Sequence, residues 1–350
     1  MKGTAYPRTR GPMTVCRYRL LCAALAAGMA LTLLLSLVIG RYGMSPLTAL
    51  KILVARLLPI TPDWNSTQES VVLVLRLPRT LGALLIGASL ALSGAAYQGM
   101  FKNPMVSPDL LGVSSGACIG ASLAILLGRS TVTIQIWAFL GGILAVSLTT
   151  AIPKILGSQS TVILVLAGVI VSGLMSSIMG IIRYLADAET ALAQITYWSM
   201  GSFADLQSLG DLAIVAPCMI VSGAVLLLSR FRLNVLSLGE QEARTLGVNV
   251  GRTRMVVILC ATLLTACSVC LAGTIGWVGL VIPHLGRMLV GPDNRRLLPV
   301  TLFMGAIFMI WIDVAARSLT SAELPISIIT GIIGAPFYFY LLVRQRNVLR

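Results

Sequence analysis

Acidic residues, histidine and nucleotide-binding loops are what this sequence has least of. Aspartate and glutamate together number 12 in 350 residues, and His284 is the single histidine. One histidine excludes a His-rich metal centre. No G-x-x-x-x-G-K-[ST] run occurs, so the chain has no phosphate-cradling loop of its own. No apolar segment carries the series of Asp, Glu and His that proton- or sodium-coupled carriers use. Asp313 is the one acid expected well inside a span, and Glu323 is expected at a span's outer end. Charged residues of both signs make up only 11%, against about 25% in soluble domains. With no metal-ligand cluster and no nucleophile–base pair, a membrane-embedded enzyme is disfavoured.

What is present is apolar sequence. The chain is 57% hydrophobic with a mean hydropathy of +0.92. Apolar runs near 20 residues recur throughout, which predicts an all-α, polytopic transmembrane helical protein. The short alternating segments of a barrel are missing. The formal net charge of +14 then reads as basic loops on the cytoplasmic side, not as a nucleic-acid surface. The seven cysteines lie mostly inside apolar runs and read as small packing residues. Cys267 and Cys270 form a C-x-x-C with neither a second pair nor a neighbouring histidine, a weak metal or redox signal.

Ten spans are expected. They run over about 20–40, 80–101, 110–127, 134–156, 162–185, 209–228, 255–272, 275–290, 297–316 and 324–343. Residues 1–19 form a basic tail, 20–345 one ten-helix domain and 346–350 a second tail. With both tails inside, the inner loops and tails receive all 26 basic residues except Arg41, Lys51, Arg56, Arg76, Arg79, Arg129, Arg183 and Arg317. Ser45-Pro46 predicts a short capped helix running to Leu58 between the first two spans. The second span is rich in Gly, Ala and Ser, which let helix backbones approach closely in lipid.

Two residue sets stand out. Arg76, Arg79 and Arg317 fall at outer span ends, against the positive-inside trend. They are snorkelling cations, with Arg317 paired to Asp313 four residues earlier, or a basic rim for an acidic protein or anionic solute. Leu236–Val250 is a polar island on the inner side, with Gly239 and Gly247 bracketing room for about two helical turns. It is a solvated connection or a handle for a soluble partner. Because the chain lacks a phosphate loop, a pump built on it would draw energy from a separate subunit acting there.

Several stretches together resemble one family. They are Arg76-Leu-Pro-Arg79, Ser93-Gly-Ala-Ala-Tyr-Gln98, Asn103-Pro104 with Pro108-Asp-Leu-Leu-Gly-Val-Ser-Ser-Gly-Ala117, and Tyr197-Trp-Ser-Met-Gly-Ser202. Ala243-Arg-Thr-Leu-Gly-Val248, Gly273-Thr-Ile-Gly-Trp-Val-Gly-Leu-Val-Ile-Pro-His-Leu-Gly-Arg287, Asp313 with Arg317, and Glu323-Leu-Pro through Phe337 follow in the same order. The chain is similar to the permease subunits of ABC importers for iron–siderophore complexes, haem and cobalamin, type II importers. Met105-Val-Ser107 and Ile326 depart from the commoner pattern without touching the proposed contacts.

The resemblance implies ten helices and a bacterial or archaeal cytoplasmic (inner) membrane location. It also implies pairing with a second permease copy or paralogue around a central pathway, in contact with membrane lipid. Two cytoplasmic ABC ATPase subunits would hold ATP and Mg, with no cofactor on this chain and no nucleic acid. A periplasmic or lipid-anchored substrate-binding protein would deliver the cargo, a ferric siderophore or similar iron chelate, or alternatively cobalamin, haem or molybdate. By the same resemblance, Gly239, Glu240, Gln241, Glu242, Ala243, Arg244, Leu246 and Gly247 couple to the ATPases. Arg76, Arg79 and Arg317 receive the binding protein, Ser160 and Thr161 form a cytoplasmic gate, and His284 and Arg287 are structural or cytoplasmic-face residues rather than catalytic ones.

Overall fold

Without water to satisfy the backbone, an apolar chain must close its hydrogen bonds within itself, and helices do so segment by segment. The computed structural model describes residues 14–346 apart from positions 57, 60, 159, 207 and 321, and every regular element among them is helical. The tail positions 1–13 and 347–350, read above as cytoplasmic, lie outside the described residues. Helix α1 covers Val15–Val38 and α2 Pro46–Val54. Then α3, Ser66–Ser70, runs through a wide π-type turn at Val71–Arg76 into α4, Leu77–Phe101. Helices α5 (Val113–Leu126), α6 (Thr131–Ile155), α7 (Thr161–Leu185), α8 (Ala191–Met200) and α9 (Leu209–Leu228) follow. The chain continues with α10 (Arg230–Leu238), α11 (Glu240–Thr245), α12 (Val250–Ala272), α13 (Val278–Val290), α14 (Asn294–Ser318) and α15 (Ile326–Arg346).

Seven stretches are long and apolar enough to cross a membrane, and α5, α13 and Ile326–Tyr340 of α15 are shorter apolar helices. Together they match the ten expected segments. Two differ in kind. Spans were expected to begin at Leu110 and Ile275, but α5 and α13 have only 14 and 13 residues. At 1.5 Å per residue each is about 20 Å long, short of the ~30 Å hydrocarbon layer. The preceding chain is irregular: a 3-10 turn at Pro108–Leu111 and the non-helical stretch Gly273–Trp277. Hydropathy reads both stretches as span because they are apolar. It is blind to the positive φ of Gly112 and Trp277, which stops each helix from starting sooner. Helix α2 ends at Val54, before the expected Leu58. Helix α8 lies between the expected spans 162–185 and 209–228.

The centre of the bundle is α4, which is buried along most of its length and packs on α14, α12 and α13. Its small residues permit this. A Cβ placed on Gly94 would lie 2.1 Å from the Gly279 carbonyl oxygen, so α4 and the start of α13 meet backbone to backbone. One turn further, buried Gln98 serves the irregular chain. Its Nε2 donates to the carbonyls of Val106 and Gly279, both at 3.1 Å, and its Oε1 accepts from Arg287 Nη2. This last bond ties Arg287 to α4. Replacing Gln98 with leucine leaves two carbonyls and a guanidinium short of partners, an expected loss of about 1–3 kcal/mol per buried group. Thermal unfolding in detergent measures it.

Candidate functional site

The polar island forms two short helices. Helix α10 ends at Leu238, Gly239 follows at φ 156°, ψ 165°, and α11 occupies Glu240–Thr245. That backbone region is essentially reserved for glycine, so Gly239 makes the break between the two helices. Gly247, at φ 75°, ends α11 in the opposite sense. The Val248 amide donates to Ala243 O at 2.9 Å and the Gly247 amide to Arg244 O at 3.0 Å, the paired bonds of a Schellman cap. Of the residues singled out here, Ala243 is buried, Gly239 and Glu240 are half-buried, and Gln241, Glu242, Arg244, Leu246 and Gly247 are exposed. Leu238 and Leu246 set 63% and 61% of their surface outward beside charged neighbours. Isolated exposed leucines are ordinary. Two flanking a six-residue helix make an amphipathic knob.

The knob is tied to the bundle at two points. Arg254 on α12 pairs with Glu240 at 2.5 Å. Asn234 on α10 donates to Asp293, the residue that caps α14, and accepts from the Asn294 amide at 2.7 Å. Helices α10 and α11 are thus joined to the ends of α12 and α14, both of which pack on α4. The sequence reading missed Asn234 and Asp293. Their signal was a polar pair at the boundaries of apolar runs. Burial works against ionisation of Asp293, but hydrogen bonds from Asn234 and from the Arg295 amide and side chain outweigh it and hold the carboxyl below the usual range. A depressed folded-state pKa adds stability that is present above the unfolded value, about 4, and lost as pH falls through the folded one. The protection factors of the α10 amides, taken against intrinsic exchange at the same pH, should fall as pH drops below about 4. The Asp293→Asn variant should lack this dependence.

Ser160 caps α7 by accepting from the Val162 amide at 3.2 Å, and Thr161 is the first residue of that helix. Both line a cavity of about 350 Å³ between α6, α7 and α12. The expected gate residues and Arg254 of the α11 tie therefore share one cavity wall.

At the opposite end of α14 the three arginines lie close together, but not as an exposed rim. Arg76, Arg79 and Arg317 are only 5%, 8% and 8% exposed. Arg76 caps the C-terminus of α1, donating to the carbonyls of Leu37 at 2.7 Å, Val38 at 2.9 Å and Tyr42 at 2.7 Å. A cation is favoured there by the helix dipole, and the π-type turn ending at Arg76 delivers it. Arg79 Nε donates to Asp313 Oδ1 at 2.5 Å and Nη1 to Glu323 Oε1 at 2.7 Å. Arg317 pairs with Asp313 at 3.3 Å, one turn along the same helix, and donates to Ser36 O at 2.5 Å and Ser36 Oγ at 2.9 Å. The expectation of outward-facing arginines is corrected on this point. Arg79 and Arg317 turn inward because Asp313, fully buried, demands compensation, while Arg76 turns to the carbonyls at the end of α1. The expected Asp313–Arg317 pair is present. The edges of all three arginines, with exposed Arg41 and Glu323, still wall an open cavity of about 310 Å³.

No group of three or more His, Cys, Asp or Glu able to hold a metal occurs among the described residues. Cys267 and Cys270 are buried in α12, and the Cys270 thiol donates to the Cys267 carbonyl.

This arrangement has known counterparts. Residues 28–344 match the FecCD transport family. The molybdate import system permease protein of Haemophilus influenzae is 42% identical over 319 residues, 91% of this chain and 94% of that protein. A probable iron chelatin transport system permease protein of Helicobacter pylori is 40% identical over 283 residues, 81% of this chain and 85% of that protein. A solved structure, described as an inward-facing conformation of a metal-chelate type ABC transporter, superposes with a TM-score of 0.83 at 39% identity. It covers 93% of this chain and 100% of its own. This multi-pass helical chain belongs to the FecCD transport family, the permeases of type II ABC importers.

Proposed function

We propose that this chain carries a metal chelate across the cytoplasmic membrane, driven by two separate ATPase subunits that grip α11. The observation that carries the reading is mechanical. The exposed knob at Leu238–Leu246 is tied by Glu240–Arg254 to α12 and by Asn234–Asp293 to α14. Closure of an ATPase pair bearing on α11 then tilts those spans and moves the pathway between its two open sides. ATP and Mg belong to the ATPases, and Ser160 and Thr161 gate the cytoplasmic end. A binding protein delivers the cargo at the opposite face, its acidic side chains entering the cavity walled by Arg41, Arg76, Arg79 and Arg317. A second permease subunit completes the pathway.

An iron chelate is the first reading of the cargo, in keeping with the iron chelatin relative. Molybdate is the second, favoured by 42% identity to a molybdate permease over 91% of the chain. Purifying the assembled complex, identifying its subunits and measuring iron and molybdenum uptake into vesicles decides both questions. Uptake that proceeds without any ATPase subunit would overturn the mechanism. Leu246→Glu should abolish ATPase co-purification while the permease keeps its melting temperature.

A further inference from the structure

The cavity at the start of α7 has two chemically different ends, and they describe an amphiphile. Its deep walls are Ile143 and Val146 of α6, Leu164 of α7, and Ile258 of α12. The hydroxyls on the α6 wall are already committed. Ser147 Oγ donates to Ile143 O and Thr150 Oγ1 to Val146 O, both at 2.8 Å, so this wall offers little to a polar ligand. The mouth, at the helix ends, is different. Lys154 and Arg254 line it with Ser158 and Ser160. Lys154 is exposed, with no hydrogen bond or ion pair among the described residues. Ser158 Oγ accepts from the Ser160 amide at 3.1 Å and Ser160 Oγ from the Val162 amide at 3.2 Å. Among the described residues neither hydroxyl proton has an acceptor, so both remain to be donated. From Lys154 back to Ile143 is eleven positions along α6, about 16 Å at 1.5 Å per residue. Met255 and Leu259, 61% and 56% exposed, flank the groove and leave its α12 side open.

We propose that this groove holds one anionic phospholipid of the cytoplasmic leaflet, of the phosphatidylglycerol type. Its phosphate sits between Lys154 and the hydroxyls of Ser158 and Ser160, and an acyl chain lies along α6 and α12. An amine-bearing headgroup is disfavoured beside two cations. The inference rests on the orientation proposed above, with the α6–α7 connection cytoplasmic. It adds regulation to that reading, because Arg254 at the mouth also holds Glu240 of α11. A bound phosphate shares this guanidinium with the coupling helix, so occupancy sets how firmly α12 grips α11.

The test is native mass spectrometry of the full-length permease, extracted from vesicles of equal parts phosphatidylglycerol and phosphatidylcholine. The expected result is preferential retention of phosphatidylglycerol, reduced about fivefold by Lys154→Gln. Val146→Trp, which fills the groove and leaves the charges, should also release it. Lys102→Gln, a cation outside the groove, should change nothing. Equal retention of the two lipids by the wild type, or retention unaffected by both groove variants, overturns the proposal. This readout needs neither ATPase nor cargo, so it stands or falls separately from the transport mechanism. In the assembled complex, ATPase activity should respond to phosphatidylglycerol in the wild type and not in Lys154→Gln.

Discussion

Replacing Asp313 with alanine is expected to destabilise the permease by about 3–5 kcal/mol, the cost of removing one partner from a buried ion pair. Asp313 is completely buried and lies between two arginines that are themselves 8% exposed. Its Oδ1 accepts from Arg79 and its Oδ2 faces Arg317 at 3.3 Å. Without it two guanidiniums stay in a dry environment, with exposed Glu323 as the remaining acid. Thermal unfolding of detergent-purified protein measures the loss. A triple variant, Arg79→Met, Asp313→Leu and Arg317→Met, removes the charges together and should recover most of the stability, because well-packed apolar replacements of buried pairs are often neutral. An Asp313→Ala variant within about 0.5 kcal/mol of wild type, the ordinary range of a surface change, would refute the role given to this cluster.

The second large effect is expected at Gly239. Valine there must occupy φ 156°, ψ 165°, a region closed to β-branched residues at a cost of about 1–3 kcal/mol. The space is not the obstacle. A Cβ would meet only the movable carboxylate of Glu242, 1.9 Å away. The backbone is the obstacle, and the chain escapes by changing the angle between α10 and α11. A shift of 1.4 kcal/mol is about tenfold in the population of a correctly presented helix. Transport per ATP hydrolysed should fall by about that factor while the membrane bundle keeps its melting temperature. Reconstituted vesicles with uptake and phosphate release measured together give the ratio. An unchanged ratio would mean that the break between α10 and α11 is not what transmits the force.

The positions of the membrane helices were largely legible in the sequence, for a physical reason. A segment of 20 or more apolar residues has few places to go except a lipid-spanning helix. The stretch Leu209–Leu228 was expected and observed at the same limits. The break at Gly239, the helix Glu240–Thr245 and the stop at Gly247 were legible too, because glycine marks positions that other residues avoid. Composition alone could not reveal that α5 and α13 are short. Leu110 and Ile275 are apolar whether helical or not, and only the contacts of Gln98, Pro108 and Gly279 determine which they are.

The arginines show the same division. Sequence by itself placed Arg76, Arg79 and Arg317 on the same side of the bundle, since charge bias and span count imply that much. It also named Asp313 as a partner for Arg317, four residues away on one helix face. Which way the guanidiniums point depends on residues far away in the chain: Leu37 and Tyr42 for Arg76, Asp313 and Glu323 for Arg79, Ser36 for Arg317. Side-chain direction follows from partners brought together by packing. Only the tertiary structure could turn three expected surface cations into a buried clasp.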